Sequence, residues 1–541
     1  MDGEDIDSQK ILGQVKIKKQ IEVDSGYARY VLFVLLLVYV INFIDRQILA
    51  ILAEDIKADF GVSDADLGFL FGTAFAVFYA TFGIVFGRLA DVWSRTKLIA
   101  IGLGFWSIMT VLSGTSRGFL SLAACRFGVA VGEASATPAA FSTLYDYFSP
   151  RVRTTVLAIY SSGVYIGMGL GLFLGGAILD AWNVAWPDSD LAPFGLKGWQ
   201  ATFMAVGLPG VLMSLWVSTL REPIRGSSEN IIIETHSNPY LETTMVFISM
   251  LPICNLWTLA NKGGYFSVAI NIFSMILIVL VTWGLASYTG SIVQWVALGI
   301  GVYAVISWAQ ALRIRDQVVF SMIFRCKTLI SVILAGGSTT FMGIAFSFWS
   351  VPFFQRYYGV GIAEVGLVLG LASAIMGFSG IILGGLLADK LRGYTGKGKL
   401  YVWLGGTFMA VISALVFLTT HSLMVAYASV SLMYLTIALG HGPQVSTVND
   451  LSLPRGRSTT SAFALMVATF IGVALGPYIV GYLSDVFIAR GNGEGEGLRL
   501  AMLWSLLLPV LGLCLIFRVL RHLEADEANL VNRARALGEP I

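Results

Sequence analysis

Charge is scarce in this sequence. Asp, Glu, Lys and Arg make up 13% of its 541 residues, whereas hydrophobic residues make up 56%. A soluble domain carries about a quarter charged residues, so most of this chain is expected to face lipid rather than water. The formal net charge is only +2. So small a charge gives no sign of a nucleic-acid partner, and none is expected.

Cysteine and histidine are also few, with four of each. The cysteines, Cys125, Cys254, Cys326 and Cys514, lie far apart in mostly apolar runs, where a free thiol behaves as a small buried hydrophobe. The sequence shows neither metal-ligand spacing nor a nucleophile beside a base. It therefore predicts no metal, no cofactor and no enzymatic activity.

Long apolar runs are abundant. A membrane-spanning helix needs about 20 apolar residues, and fourteen stretches qualify. They lie at 30–52, 66–87, 97–115, 119–142, 154–179, 200–219, 265–286, 291–312, 328–353, 364–387, 400–419, 423–446, 460–483 and 499–519. Segment 242–260 contains Pro252 and Asn255, and the sequence leaves open whether it spans the membrane or lies at its surface. The chain is thus predicted to be an all-α polytopic membrane protein.

Basic residues are concentrated in alternate loops, whereas the opposite loops carry mostly single ones, such as Lys57. The basic loops lie at 88–97, 151–153, 221–225, 313–327, 390–399 and 455–457. Because basic loops stay in the cytoplasm, both termini are predicted to be cytoplasmic. An even number of spans agrees with this orientation. The predicted location is the cell inner (plasma) membrane, crossed many times.

Three short strings recur at nearly constant spacing. Gly87-Arg-Leu-Ala-Asp91 returns 298 residues later as Gly385-Leu-Leu-Ala-Asp389, Arg153-Thr-Thr returns 304 later within Arg457-Ser-Thr-Thr, and Gly176-x-x-x-Asp180 returns 305 later as Gly481-x-x-x-Asp485. The constant order indicates two homologous halves of six spans each. The two spans within 265–312 have no counterpart and are predicted to form an inserted hairpin.

This duplication divides the chain into five segments. They are a cytoplasmic N-terminal tail at 1–29, a six-helix bundle at 30–225, a linker with the hairpin at 226–325, a second six-helix bundle at 326–520 and a cytoplasmic C-terminal tail at 521–541. Two pseudo-symmetric bundles are the architecture of secondary transporters, which bind substrate near the membrane midplane between the halves. A lipid-modifying enzyme or a receptor, the rival classes, has no need for this symmetry.

Four charged residues lie inside predicted spans. Asp45 and Arg46 lie in span 30–52, and Arg126 and Glu133 lie two helical turns apart in span 119–142. Each charge costs about 2.5–3.5 kcal/mol on insertion scales, so we expect the four to pair or to line a water-filled cavity. One interpretation is a substrate and proton site. The other is a salt-bridge cluster that only holds two helices together.

The string Gly87-Arg-Leu-Ala-Asp-Val-Trp-Ser-Arg-Thr-Lys97 resembles the signature loop of the major facilitator superfamily, although Val92 and Ser94 depart from the usual pattern. The resemblance implies the major facilitator fold. It also implies a gating role for Gly87, Asp91 and Arg95, and for Asp389 in the second copy.

A stripe of glycines follows in span 154–179. Gly163, Gly167, Gly171 and Gly175 fall on one helix face, so another backbone can come close. The stripe is either a static packing surface or, as the resemblance suggests, part of the sliding interface between the halves.

Longer strings in both halves resemble the spinster family, over 30–225 and 326–520. They are Asn42-Phe-Ile-Asp-Arg46, Arg126 through Ser135, Gly198-Trp-Gln-Ala-Thr-Phe203 with Gly207-Leu-Pro-Gly210, Arg221-Glu-Pro223 with Arg225-Gly226, and Gly476 through Asp485. The chain lacks long tails, and in this it resembles bacterial members of the family. Spinster proteins move sphingosine-1-phosphate, lysophospholipids and similar single-chain lipids, so the resemblance implies an amphiphilic anion as substrate.

The candidate residues suit such a substrate. Arginine binds phosphate oxygens with a planar fork, so Arg46 and Arg126, together with Glu133, are predicted to bind the headgroup. An aromatic wall for the acyl chain is predicted from Tyr165, Phe346 and Trp349.

Asp45 is the first candidate for the proton carrier and Glu133 the second, since burial favours a neutral carboxyl group. The predicted function is proton-coupled, alternating-access transport of a lysolipid-like anion within the lipid bilayer. Export of hydrophobic drugs or of another organic anion is the alternative.

Overall fold

The computed structural model describes residues 24–149, 151–225, 254–453 and 456–536, together with 240, 243–244 and 247–248. Within these residues, fourteen helices are long and apolar enough to cross a membrane, which confirms the predicted number. We number them α1 to α14. They are Gly26–Ile51, Asp64–Val92, Arg95–Ser113, Phe119–Tyr147, Thr155–Ala185, Gly198–Ser218, Gly263–Thr289, Ile292–Ile314, Lys327–Tyr358, Ile362–Arg392, Gly398–Thr419, Leu423–Asp450, Thr459–Ala489 and Glu494–Ala528.

The turn between α1 and α2 is set by local sequence. Gly61 has φ +62° and ends the short helix Ala53–Phe60, a backbone conformation that favours glycine. Ser63 and Asp66 then form a capping box that begins α2. Because successive spans alternate in direction, this turn lies at the end of the bundle opposite the chain ends. We call that end the distal face and the other end the termini face.

The two halves share one packing plan. In the first half α1 packs on α5 and α3 packs on α6, and in the second half α9 packs on α13 and α11 packs on α14. These pairs occupy equivalent positions in the two six-helix bundles. The structure thus confirms an all-α fold with two pseudo-symmetric bundles and an inserted hairpin, α7 and α8.

Equivalent glycines join the halves on both sides of the molecule. Gly68 of α2 lies against the backbone carbonyl of Pro477 in α13, and Gly366 of α10 lies against that of Leu172 in α5. The spacings of 298 and 305 residues relate each glycine and each carbonyl to its counterpart. A Cβ atom at either glycine would collide with the facing backbone, so these two contacts require glycine.

Two of the described spans in the second half contain a π-helical segment, and the one in α10 is Ala372–Gly377. Residues Thr469–Ala474 of α13 form a π-helical segment, and a π-bulge inserts one extra residue into an α-helix.

The glycine stripe in α5 has a packing role. Gly163, Gly167, Gly171 and Gly175 all face α1 of the same half, where Tyr39, Val40, Ile44 and Ile51 lie close to them. The contacts of α5 with the other half use Gly169 and Gly176 instead. The structure therefore favours the static packing interpretation of the stripe.

The inserted hairpin turns at Gly290, which has φ +75°. The first hairpin helix, α7, is mostly exposed, whereas α8 is one-third buried over its most apolar stretch. Inside the hairpin, Asn271 donates to Gln310 and accepts from the hydroxyl of Tyr303, both at 2.8 Å. Part of segment 242–260, whose spanning character the sequence left open, lies outside the described residues, and its end at 254–260 is helical.

Candidate functional site

The four charged residues predicted from the sequence lie on two facing helices. Arg46 of α1 donates from Nε to the Oε2 atom of Glu133 in α4 across 2.6 Å. Arg126, two turns before Glu133, donates from Nη1 to the backbone carbonyl of Asp45 at 3.2 Å. The structure therefore brings the two acids and two bases into one cluster, which we call the charge cluster.

Aromatic rings surround the guanidinium of Arg46. Its central carbon lies 4.4 Å from the ring of Phe75, 4.5 Å from that of Tyr79 and 4.8 Å from that of Phe43. A cation over aromatic faces is stabilised by about 0.5–2 kcal/mol. The Arg46 side chain is 20% exposed, whereas that of Glu133 is fully buried. Arg46 is thus the member of the cluster that a solute can reach.

Polar atoms in the cluster are left without partners. Asp45 is fully buried and Arg126 is 1% exposed. Neither carboxylate oxygen of Asp45, nor Nε of Arg126, nor Oε1 of Glu133 has a hydrogen-bond partner among the described residues. Buried polar groups are normally satisfied. A site with this many free acceptors and donors is suited to a polar ligand or to a proton.

The distal face is closed by a second ionic group that joins the halves. Arg356, at the end of α9, donates to both oxygens of Asp64 at 2.7 and 2.8 Å. The same guanidinium donates to Glu54 at 2.7 and 2.9 Å. Arg356 and Asp64 are 4% and 0% exposed, so this two-pronged pair is shielded from water. We call Arg356, Glu54, Asp64 and Asp485 the distal gate.

Asp485 completes the distal gate from the end of α13. Its carboxylate accepts from the backbone nitrogens of Asp64 and Ala65 at 3.0 and 2.8 Å. It therefore caps the N-terminus of α2, where the helix dipole favours a negative charge. Ser484 donates to Asp64 at 2.7 Å. The second half therefore contacts the first half through one cation, Arg356, and one anion, Asp485.

In the sequence, nothing marks these residues as partners of one another. Asp485 appears there only as part of a repeated string, and Arg356 and Glu54 are not singled out. These residues are charged and lie at the ends of spans. Single charges are common there, so the sequence gives only a weak indication of their pairing. The pairing becomes visible only when residues about 300 positions apart are brought together in space.

A polar contact between α1 and α9 lies between the charge cluster and the distal gate. Gln47, next to Arg46 in sequence, donates from Nε2 to the carbonyl of Ser347 at 3.2 Å. The hydroxyl of Ser347 donates back to Oε1 of Gln47 at 3.3 Å. Both residues are buried. This reciprocal pair links the helix of the charge cluster to the helix of Arg356.

The predicted aromatic wall is divided between two places. Phe346 and Trp349 are fully buried, and the Trp349 indole donates to the carbonyl of Pro477 at 2.9 Å. These two residues lie inside the closed distal half of the bundle. Tyr165 lies elsewhere, with its ring against Gly377 of α10. The structure does not gather the three residues around the charge cluster in this conformation, and their substrate contact stays a prediction.

The signature loop lies at the termini face. Arg95 is buried and bonds Glu222 at 2.8 Å, and it also pairs with Asp146. Gly87 has open space around its Cα. The Asp91 carboxylate is exposed, 4.0 Å from Arg88, while its backbone carbonyl accepts from Arg225.

Asp389, the second copy of Asp91, is exposed near the end of α10. At this face Arg95 pairs within the first half and Lys399 pairs with Asp450 and Glu527 within the second. The gating role of Gly87, Asp91, Arg95 and Asp389 stays a prediction.

Glu222 lies beyond the spans, and the pKa of its carboxyl group is shifted. Burial acts to raise the pKa of its carboxyl group, but hydrogen bonds from the Thr96 backbone and from Arg95 outweigh burial. The net result is a pKa below the ordinary value for glutamate. The ionised carboxylate is thus the form that holds α3 to the segment after α6.

Comparison with known proteins identifies the family. Residues 35–477 match the Major Facilitator Superfamily. The chain belongs to the Major Facilitator Superfamily. It is therefore a multi-pass membrane transporter, a class whose members are not enzymes. The resemblance seen in the Gly87–Lys97 string is confirmed.

Two relatives indicate where this transporter falls within the superfamily. It is 25% identical to an MFS-type efflux pump of Mycolicibacterium smegmatis over 484 residues, covering 89% of this chain and 90% of the relative. It is 27% identical to protein spinster homolog 1 of Rattus norvegicus over 473 residues, covering 86% of this chain and 74% of the relative. The similarity to the spinster family is confirmed.

Two solved structures of transporters are similar to this chain. A bacterial homolog to the human lysosomal transporter Spinster, in an inward-facing and occupied conformation, superposes with a TM-score of 0.68 at 25% identity, covering 93% of this chain and 99% of that one. A D-xylose-proton symporter superposes with a TM-score of 0.56 at 13% identity, covering 89% and 97%. The second likeness concerns the fold alone.

Proposed function

We propose that this major facilitator protein is a proton-coupled transporter of a lysolipid or a sphingosine-1-phosphate-like amphiphilic anion, working by alternating access. The observation that carries the proposal is the charge cluster. Arg46 is reachable and held by Glu133, beside a buried Asp45 whose carboxylate has no hydrogen-bond partner among the described residues. An anionic headgroup can compete with Glu133 for Arg46, and a proton can occupy either acid.

Charge balance gives a simple coupling scheme. With both acids ionised, the two acids and two bases of the cluster sum to zero. Protonation of Asp45 or Glu133 leaves a net charge of +1 in a site of low dielectric, which favours an anion. Release of the proton restores neutrality and weakens anion binding. Proton and substrate therefore bind to the same conformation with mutual reinforcement.

The state of the distal gate bears on which side of the membrane the transporter is open to. We propose that the termini face is cytoplasmic, from the loop charges, and that the protein lies in the cell inner membrane. The closed distal gate then corresponds to an inward-facing state, the same state as that of the bacterial Spinster homolog. Opening to the outside requires Arg356 to leave Glu54 and Asp64.

The decisive experiment is uptake into proteoliposomes that contain the purified protein. Labelled lysophospholipid, sphingosine-1-phosphate and an unrelated organic anion are compared, each with and without a pH gradient. Faster uptake of the lipid anion when the gradient is imposed supports the proposal. Equal uptake with and without the gradient contradicts proton coupling, and binding without flux contradicts transport.

Export of a hydrophobic drug is the second candidate function. It is favoured by the similarity to the efflux pump of Mycolicibacterium smegmatis and by the aromatic rings around Arg46, which also suit an organic cation or a flat apolar molecule. Uptake of a fluorescent cationic drug in the same vesicles separates the two functions. Lysolipid in excess should suppress drug movement if both use the charge cluster.

A further inference from the structure

The inserted hairpin lies along one of the two seams between the halves. One seam runs between α2 and α13, and the pseudo-symmetric seam runs between α5 and α10. At each seam a glycine approaches a facing backbone in the distal half, at Gly68 and at Gly366. Only the first seam is flanked by α8.

Contacts along the whole length of α8 hold it to α13. Near the distal face, the ring of Trp295 lies edge-on to that of Tyr478 at 5.6 Å. Toward the termini face, Trp308 stacks on Phe463 at 5.9 Å with the rings 13° from parallel. The short helix Gln317–Phe324 adds Phe324, 5.0 Å from Phe463. These contacts place α8 over the outer side of α13.

One residue of α8 lies against both halves at once. A Cβ atom at Gly301 would meet the ring of Phe470 in α13 and a methyl group of Val77 in α2. Leu298, one turn away, is buried in the same apolar cluster as Val77 and Phe463. The absence of a side chain at Gly301 therefore lets α8 sink between α2 and α13.

Exposure at equivalent positions shows what the hairpin covers. Phe463 of α13 is 7% exposed, whereas Ala158 and Ile159, the residues 305 and 304 positions earlier in α5, are both exposed, Ile159 by 42%. Ile84 of α2 packs against the cluster that contains α8. Its counterpart Ile382 in α10, 298 residues later, is 46% exposed. The two seams are related by duplication, but among the residues that the structure describes only the α2–α13 seam is covered.

We propose that α8 is a one-sided lateral seal: it closes the α2–α13 seam to membrane lipid and leaves the α5–α10 seam as the route by which an amphiphilic substrate passes between the membrane and the cavity. The route rests on the proposed function, and the seal does not. The hairpin has no counterpart in the duplicated halves, so it can cover one seam without an equivalent element covering the other.

The seal is tested first without any substrate. The full-length protein is placed in vesicles that contain a phosphatidylcholine with a photoreactive diazirine in its acyl chain, irradiated, and mapped by mass spectrometry. Segment 378–386 of α10 should be labelled severalfold more than segment 80–88 of α2. Equal labelling of these two equivalent segments overturns the seal, whatever the substrate is.

A matched pair of glycine variants checks that α8 causes the difference. Gly301→Leu should force α8 away from Phe470 and Val77, and labelling of segment 80–88 should rise severalfold. Gly284→Leu is the control, since a side chain there meets open space in the exposed helix α7. Unchanged labelling of segment 80–88 in folded Gly301→Leu also overturns the seal.

The route is tested with a diazirine-bearing lysophospholipid in the same vesicles. Adducts concentrated around Ile159 and Ile382, with few around Ile84 and Phe463, support lateral passage on the uncovered side. Adducts at both seams overturn it. If the bulk-lipid asymmetry is present but the lysolipid labels neither seam and is not transported, the proposed substrate and route are both wrong while the seal stands.

Discussion

Arg46 and Glu133 form a 2.6 Å ion pair that joins α1 to α4, and its two members differ in exposure. The Arg46 side chain is 20% exposed and that of Glu133 is fully buried. A ligand can therefore reach the cation while the anion stays shielded. A pair used only to hold two helices together does not explain why the Asp45 carboxylate and Nε of Arg126 beside it lack hydrogen-bond partners in the described part of the chain.

Arg126, buried beside Arg46 in the charge cluster, should add to the affinity for a phosphorylated headgroup in a conformation that exposes it to the cavity. Arg126→Ala removes charge-assisted hydrogen bonds worth about 1.5–3 kcal/mol, so the Kd of a phosphorylated lysolipid should rise about ten- to hundredfold. Arg126→Lys keeps the charge but loses the fork and should give an intermediate Kd. Arg117→Ala, which removes an exposed arginine before α4, is the control. Normal binding by folded Arg126→Ala contradicts the assignment.

Asp45 should couple transport to the proton gradient. Asp45→Asn imitates the protonated carboxyl group, so it should retain lipid binding but lose the response of uptake to an imposed pH gradient. Glu133→Gln is the parallel variant and also breaks the pair with Arg46. If Asp45→Asn keeps the wild-type pH response and Glu133→Gln loses it, the proton site is Glu133. If both variants keep the response, proton coupling at this cluster is wrong.

The distal gate should hold the closed state. Arg356→Gln removes the cation that joins Glu54 and Asp64 to the second half, while Lys57 still pairs with Asp64 at 2.9 Å inside the first half. The equilibrium should shift toward opening of the distal face. Ser347→Cys, buried next to Gln47, reports this opening through its reaction with a water-soluble maleimide added at the distal side.

The reaction of Ser347→Cys should be severalfold faster in the Arg356→Gln background. Arg499→Gln is the matched control, because Arg499 pairs with Glu496 inside one half and its loss should leave the rate unchanged. An identical rate in all three backgrounds would show that Arg356 does not hold the gate.

Glu222 should contribute stability that depends on pH. Its folded pKa lies below the unfolded value of about 4.3. The contribution is therefore present above that value and lost as pH falls through the folded pKa. Glu222→Gln should lower the Tm of the detergent-solubilised protein at pH 7, with the difference shrinking below about pH 4. Glu524→Gln, at a glutamate that is 58% exposed, should change the Tm little at either pH.

The orientation can be tested at two exposed turns. In a background without the four native cysteines, Ser287→Cys near the hairpin turn should react only with a reagent added outside the cell. Tyr394→Cys, exposed at the termini face, should react only after the membrane is opened. The reverse pattern would contradict cytoplasmic termini and reassign the distal gate to the cytoplasmic side.

The sequence by itself determined the number of spans, the duplication and the inserted hairpin. These features are recorded in apolar length and in repeated strings, and neither depends on how distant segments meet. It also identified Asp45, Arg46, Arg126 and Glu133, because a charge inside an apolar run is costly and stands out against its neighbours.

The tertiary structure decided which residues close the distal face and where the hairpin lies. Arg356, Glu54, Asp64 and Asp485 sit at helix ends, where charge is common, and only packing of the two halves makes them partners. Phe346 and Trp349 suit a substrate wall by residue type, but in this conformation the same packing buries them. The position of α8 could not be predicted either. The missing side chain at Gly301 matters only because Phe470 and Val77 of other helices lie against it. Burial and pairing between distant segments arise when the halves pack, and no local pattern encodes them.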